Sequence, residues 1–123
     1  MKKTFLNISN HPSNMWNENQ MAAAGIFGEV RDLKFPAVDP MADEEDVAAL
    51  AAEVFDCAMK QNPAAVMCQG EFTLSFQLIR MFLEAGIPCV AACTARVAHE
   101  EVGPDGISRK TSTFEFVKFR RYR

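Results

Sequence analysis

Near the amino terminus stands TFLNISNHPS (residues 4–13), an apolar run that gives way to a polar loop before a helical pattern begins. It predicts a strand, a loop able to contact a ligand, and a helix over residues 14–25 that is capped by Ser13. A second apolar run, AVMCQ (65–69), breaks at Gly70 and enters another helical pattern. In a parallel sheet both loops would open on the carboxyl edge, where α/β proteins bind ligands.

The rest of the chain continues the alternation of strands and helices. A helix begins near Asp43, and its apolar residues recur at helical spacing, which predicts one face packed on a sheet: Val47, Leu50, Ala51, Val54, Phe55 and Ala58. Turn residues at 103–106 predict a hairpin between two extended segments. The predicted strands cover residues 3–8, 29–34, 64–69, 88–94 and 111–120, and the third helix covers 71–85. This order predicts an α/β fold with an open, mostly parallel sheet and a C-terminal antiparallel hairpin.

Length and composition set further bounds. With 123 residues, 49% of them hydrophobic, the chain fits a single domain over residues 1–123 with its own core. The first apolar run is too short for a signal peptide or a membrane span, so we expect a cytoplasmic protein with no membrane partner. The four cysteines include no C-x-x-C pair and fall in apolar elements, which predicts buried, reduced thiols. We expect no metal and no cofactor.

The formal charge is unevenly distributed. Residues 109–123 carry +5, which leaves −8 for the first 108 residues. A basic end on an acidic body can meet an anionic partner such as RNA. The alternative is a solvated edge strand whose charges prevent it from pairing with other chains.

The third helix has more apolar surface than one sheet requires. Its polar residues form a single narrow stripe, Thr73, Gln77, Arg80 and Glu84, and nearly all its other positions are apolar. A helix that is apolar almost all round is buried on more than one side, which predicts a subunit interface, most simply in a homodimer. The alternative is that the C-terminal hairpin folds over the second face.

The two loops define a candidate binding site. Right-handed crossovers would place the first and third strands side by side with their helices on opposite faces, as in flavodoxin-like sheets. The crevice between them would be lined by Asn7, Ser9, Asn10, His11, Ser13, Gln69, Gly70, Glu71 and Thr73, with Thr94 and Arg96 at the end of the fourth strand. Helix N-termini, hydroxyl groups and a guanidinium suit a phosphate or another anion, and Gly70 would let backbone approach the ligand.

Several of these residues have structural alternatives. Ser13 can serve as a helix cap, and Ser9 or Asn10 can close a turn. His11 precedes a proline and could be a general acid or base, a phosphate contact, or a loop residue bonded to backbone. Glu71 can complement its own helix dipole, and it would repel a nearby phosphate.

Familiar catalytic fingerprints are missing from the sequence: it has no G-x-G-x-x-G, Walker lysine loop, G-x-S-x-G or H-E-x-x-H motif. Residues 5–13, followed by Trp16 and Gln20, resemble the start of small stand-alone CRISPR-associated proteins with a Rossmann-like fold. The turn at residues 69–74 and the C-terminal strand suit the same resemblance. That group is similar to CARF domains and ring nucleases, which bind cyclic oligoadenylate in a dimeric cleft.

The resemblance implies a Rossmann-like fold and a metal-independent activity. A ribose 2′-hydroxyl would attack the neighbouring phosphate, and the protein would position the ring and stabilise the developing charge. The implied catalytic residues are Ser9, His11 and Arg96, and the implied ligand-binding residues are Asn7, Asn10, Ser13, Gln69, Gly70, Glu71, Thr73 and Thr94. Neither loop contains a lysine.

Two other functional hypotheses remain open. One is a non-catalytic module of a CRISPR system that binds protein or RNA through the apolar helix and the basic end. The other is an enzyme acting on a nucleotide-like metabolite, with Glu71 as the acid or base.

Overall fold

The computed structural model describes residues 2–123, which form five strands, three α-helices and one 3₁₀ turn. In chain order these elements are β1 (Thr4–Ser9), the 3₁₀ turn (Ser13–Met15), α1 (Glu18–Gly25), β2 (Glu29–Asp32), α2 (Glu44–Met59), β3 (Pro63–Gln69), α3 (Phe72–Glu84), β4 (Cys89–Val102) and β5 (Ser108–Arg121). No helix in this part of the chain is long and apolar enough to cross a bilayer.

The strands form one sheet in the order β2-β1-β3-β4-β5. All neighbours are parallel except β4 and β5, which run antiparallel. The predicted α/β fold is confirmed as a Rossmann-like, mostly parallel sheet with a C-terminal antiparallel strand pair. The prediction that the first and third strands are neighbours is also confirmed, because β1 and β3 pair from Thr4–Pro63 to Ser9–Gln69.

Two apolar cores lie on opposite faces of the sheet. Alternate residues of β1 divide between them: Phe5 packs with Ala24 of α1, whereas Leu6 and Ile8 pack with α2 and α3. Residues of β3 alternate in the same way. A strand covered on both faces has a nearly continuous apolar sequence, and this explains why the runs at 4–8 and 65–68 identified the centre of the fold.

Helix α2 forms where the sequence predicts it. Asp43 is its N-cap, and Asp43 and Asp46 form a reciprocal capping box in which each side chain accepts from the other residue's backbone N–H, at 3.0 and 3.1 Å. The predicted apolar face packs into the core, with Leu50 and Phe55 partly buried and the other four residues buried.

The predicted start of the first helix is wrong. Helix α1 begins at Glu18, and its N-cap is Asn17, whose side chain accepts from the backbone N–H of Gln20 at 2.9 Å. Ser13 therefore does not cap α1; it begins the short 3₁₀ turn, and its hydroxyl donates to Asp32 instead. Both Ser and Asn are good N-cap residues, so propensity alone did not distinguish between the two positions.

The hairpin is longer than predicted. Strand β4 continues from Cys89 to Val102 without a break after Thr94, and only Val66–Cys89 and Met67–Val90 pair it with β3. Beyond these pairs β4 and β5 continue as a two-stranded ribbon, which contains a bulge opposite Cys93 and Thr94. The start of β4 is covered on both faces, since Cys89 packs in one core and Val90 in the other, and the residues after Val90 are partly or fully exposed.

The cysteines divide into two groups. Cys68 and Cys89 are buried and reduced as predicted, and the pKa of Cys89 is raised by its hydrogen bond with Cys68 and by burial. Cys57 is exposed and Cys93 is partly exposed, so the prediction of burial is wrong for Cys57. Cys57 lies on α2 between the buried residues Val54 and Ala58, at a helical position that turns away from the sheet.

Candidate functional site

The loop after β1, residues 10–13, is held by side chains that reach it from β1. Asn7 is buried, and its Nδ2 donates to the carbonyl oxygen of His11 at 2.7 Å. The Ser9 hydroxyl donates to Asn7 Oδ1 at 2.6 Å and accepts from the backbone N–H of His11 at 3.1 Å. The polar groups of Asn7 and Ser9 are therefore used to fix the path of the backbone, which leaves the Ser9 hydroxyl poorly placed to act as a nucleophile.

A second set of bonds joins this loop to β2. Asn7 and Asp32 are register partners, and Asn7 Nδ2 donates to Asp32 Oδ1 at 3.0 Å. The backbone N–H and the hydroxyl of Ser13 donate to the same carboxylate, at 3.2 and 3.1 Å. Trp16 Nε1 donates to the carbonyl oxygen of His11 at 3.2 Å. The carboxylate of Asp32 thus accepts from several donors, and these bonds fix its position within the loop.

A hollow of about 450 Å³ opens where the loop meets the end of β2. Its lining residues are Asn7, Ser9, Asn10, Pro12, Asp32, Leu33 and Lys34. The side chains of Asn10, His11 and Lys34 are exposed at this edge. Lys34 was not identified from the sequence, because it belongs to neither loop. It lies two residues after β2, the strand paired with β1. This position after a neighbouring strand could have identified Lys34 as a residue of the site.

The loop after β3, Gly70 and Glu71, has a different environment. A Cβ atom on Gly70 would lie 2.5 Å from the ring of Phe35, which is buried. The close approach at Gly70 is thus made by an aromatic side chain of the same chain. From the sequence we expected a ligand to approach Gly70. The contact with Phe35 could not be predicted, because no local pattern connects residues 35 and 70.

Glu71 is the N-cap of α3. Its carboxylate accepts from the backbone N–H of Leu74 at 2.7 Å and from the hydroxyl of Thr73 at 2.7 Å, and these bonds lower its pKa. An N-terminal amide that could hold an anion is already bonded to a carboxylate within the chain. Glu71 therefore bonds to Thr73 and to the first turn of α3. A carboxylate used in this way is poorly suited to act as a catalytic acid or base.

Gln69, Thr94 and Arg96 are distributed along β3 and the ribbon. The side-chain oxygen of Gln69 accepts from the backbone N–H of Ala92 at 2.7 Å, where β3 and β4 have ceased to pair. Thr94 and Arg96 are exposed and lie within β4, opposite Phe116 and Phe114, instead of at the end of a strand as predicted.

The structure therefore brings together only part of the predicted lining. Asn7, Ser9 and Asn10 share one hollow with Lys34, and Ser13 is bonded to Asp32 in its wall. Gln69 and Gly70 line a separate hollow of about 610 Å³ between α3 and the chain end. The single crevice expected between the two loops is replaced by two hollows.

The outer face of α3 remains exposed in the single chain. Leu74, Leu78 and Phe82 are buried on its inner side, whereas Phe72 is 89% exposed and Phe76 is 60% exposed. The alternative in which the hairpin covers this face is wrong, because Phe119 of the hairpin packs with Phe5 and Trp16 on the α1 side of the sheet.

The comparisons with known proteins identify a family. Residues 3–120 match the family described as "Uncharacterized protein MJ1673 family". Comparisons with the curated proteins and with the solved structures found no match. Since the match extends over nearly the whole chain, this protein belongs to the MJ1673 family.

Proposed function

We propose that this protein is a CRISPR-associated protein that binds cyclic oligoadenylate in a cleft between two copies of the chain. The observation that carries the proposal is the β1 loop, whose backbone is fixed by Asn7, Ser9 and Asp32 while Asn10, His11 and Lys34 remain exposed at its edge. A preorganised loop requires little further ordering when a ligand binds. The sequence resemblance of residues 5–13 supplies the ligand class.

The ligand contacts follow from the chemistry of the exposed groups. The ammonium group of Lys34 would bind a phosphate of the ring, and charge-assisted hydrogen bonds of this kind are stronger than neutral ones. Asp32 lines the same hollow and is held by Asn7 and Ser13, and because its negative charge remains, the attraction for a phosphate depends on Lys34. The location agrees with the rule that α/β sheets bind ligands at their carboxyl edge.

The proposal includes cleavage of the ring as a second step. A ribose 2′-hydroxyl attacks the adjacent phosphorus, the O2′–P bond forms and the P–O5′ bond breaks, leaving a 2′,3′-cyclic phosphate and a 5′-hydroxyl. The imidazole of His11 accepts the proton of the 2′-hydroxyl, and solvent protonates the leaving 5′-oxygen. Ser9 acts as a positioning residue, and Arg96, which lies on the ribbon, has no part in this step.

Binding and cleavage are measured separately. We expect the purified protein to bind one of cyclic tri-, tetra- or hexa-adenylate by calorimetry, and Lys34→Ala to weaken that affinity about tenfold or more. The matched control is Lys60→Ala, an exposed lysine just after α2, which should bind as the wild type does. His11→Ala should abolish the linear products seen by chromatography. A wild-type protein that neither binds nor cleaves any of the three rings would refute the proposal.

A second candidate function has its own observation. Lys118, Arg120, Arg121 and Arg123 are clustered at the end of β5, and none forms an ion pair within residues 2–123. Such a cluster can bind RNA phosphates. A gel shift with single-stranded RNA that is lost in Arg120→Ala/Arg121→Ala/Arg123→Ala, together with no binding of the three rings, would favour this function.

A further inference from the structure

We infer that the outer face of α3 is the surface through which two copies of this chain pair. The inference rests on the proposed function, because it names the face that would bring the two proposed half-sites together. We expect a second copy of the chain to bind this face, because charged residues of both signs are arranged around two exposed aromatic rings.

The centre of this face is strongly apolar. Phe72 and Phe76 lie one helical turn apart on α3, and both are largely exposed. Exposed aromatic side chains at the centre of a surface are typical anchors of protein interfaces. The two rings therefore form a ridge that no element within residues 2–123 covers.

The ridge separates two hollows of opposite charge. Phe72 and Phe76 line both of them. The hollow on the α2 side, about 480 Å³, contains Asp43 and Glu44. The hollow on the side of the chain end, about 610 Å³, contains Arg123 and Arg80, and Arg80 also forms a long, exposed ion pair with Glu84 at 4.0 Å.

This order of acid, aromatic ridge and base is self-complementary about a twofold axis. In a twofold interface the same patch on each copy meets itself in reverse, so that each residue pair occurs twice. A twofold axis along the ridge places the acidic hollow of one copy against the basic hollow of the other, and it brings the aromatic rings of the two copies together at the axis. Complementary charges around an apolar centre favour this pairing and fix its orientation.

The available surface matches what a dimer requires. A stable interface buries about 800 Å² on each partner. A Phe side chain buries about 150–250 Å², and since Phe72 is 89% and Phe76 60% exposed, the two rings supply roughly a third of this area and the walls of the hollows would supply the rest. Phe72 directly follows the β3 loop, so the axis lies beside the carboxyl edge of both sheets, where the β1 loops also open.

The first test uses Phe72→Asp. Phe72 is the first residue of α3, where a carboxylate suits the helix dipole, so this variant should fold normally. We expect the wild type to sediment as a dimer. Phe72→Asp should raise the dissociation constant of the dimer about thirtyfold or more. The matched control is Val102→Asp, which changes an exposed apolar residue near the turn of the ribbon and should leave the dimer unchanged.

A charge exchange tests the orientation. Glu44→Lys neutralises the flank on the α2 side, because Asp43 remains there, and Arg80→Glu/Arg123→Glu gives a copy with two acidic flanks. Each variant alone should dimerise more weakly than the wild type, and an equimolar mixture should form a heterodimer in preference to either homodimer, measured by sedimentation and by native mass spectrometry. Circular dichroism of each variant verifies that it is folded.

The outcomes distinguish this inference from the proposed function. A monomeric wild type, a dimer broken by Val102→Asp and not by Phe72→Asp, or a mixture that does not favour the heterodimer would overturn the interface. A dimer that responds as expected but binds none of the cyclic oligoadenylates would leave the interface in place and reject the function. Binding of a ring by the Phe72→Asp monomer with wild-type affinity would reject the paired cleft.

Discussion

The loops after β1 and β3 occupy equivalent positions on neighbouring parallel strands, yet their polar groups are used in different ways. In the β1 loop, Asn7, Ser9 and Asp32 fix the backbone, and Lys34 and His11 remain exposed. In the β3 loop, Phe35 fills the space at Gly70, and Glu71 caps α3. Position on the carboxyl edge therefore does not by itself define a binding site, and the exposed cation Lys34 is the reason that we propose an anion site at the β1 loop.

The largest expected effect comes from breaking the packing at the β3 loop. In Gly70→Ala the new methyl group would meet the Phe35 ring at 2.5 Å, so we expect unfolding in urea to show a loss of about 1–3 kcal/mol. The control is Gly25→Ala, where a Cβ meets nothing within 4 Å and should cost no stability.

Combining Gly70→Ala with Phe35→Leu should recover part of that loss, since the smaller side chain leaves room for the methyl group. The same loss for Gly70→Ala and Gly25→Ala, or no coupling between residues 35 and 70 in the double variant, would contradict the contact.

A smaller effect is expected at the β1 loop. Asp32→Ala removes one acceptor of Asn7 Nδ2 and the acceptor of the backbone N–H of Ser13. The cost should be about 1 kcal/mol, because Asn7 Nδ2 still donates to the carbonyl oxygen of His11 and the exposed N–H of Ser13 can bond to water. The loop should also loosen, which can be followed by faster amide hydrogen exchange at His11 and Ser13. Asp56→Ala, at an exposed position of α2, is the matched control. Unchanged exchange at both amides would mean that the loop does not depend on Asp32.

The sequence was sufficient to predict the sheet because its centre is encoded locally. The runs at 4–8 and 65–68 are apolar on both faces, and after Asp43 the apolar residues recur at the spacing of a helix that packs on a sheet. These features depend on residues close together in the chain, and they predicted the adjacency of β1 and β3 through the handedness of crossovers.

The candidate site was only partly predictable because its decisive contacts join distant residues. Phe35 contacts Gly70, and Asp32 accepts hydrogen bonds from Asn7 and Ser13. These residues are far apart in the sequence, so the spacing of apolar residues does not predict their contacts. Lys34 enters the site through the pairing of β2 with β1. Of the three residues predicted to be catalytic, His11 alone keeps that role in the proposed step. Its side chain is exposed, and its neighbours Asn10 and Pro12 line the hollow.

The smallest effect is expected from Glu71→Gln, and its pH dependence tests whether this carboxylate serves the helix. The hydrogen bonds from Leu74 and Thr73 lower the pKa of Glu71 below its ordinary value of 4.5. A lowered pKa in the folded state means that the ionised form stabilises the fold above pH 4.5, and this contribution disappears as the pH falls through the folded-state pKa. The wild type should therefore exceed Glu71→Gln in free energy of unfolding at neutral pH, and the difference should vanish in acid.

Because Glu71 is fully exposed, solvent screening keeps the difference small. Glu53→Gln, on the exposed side of α2, controls for the loss of one surface charge. A difference that stays constant or grows as the pH falls would mean that Glu71 does not act as the cap, and the β3 loop would then regain a free helix terminus able to compete for the anion.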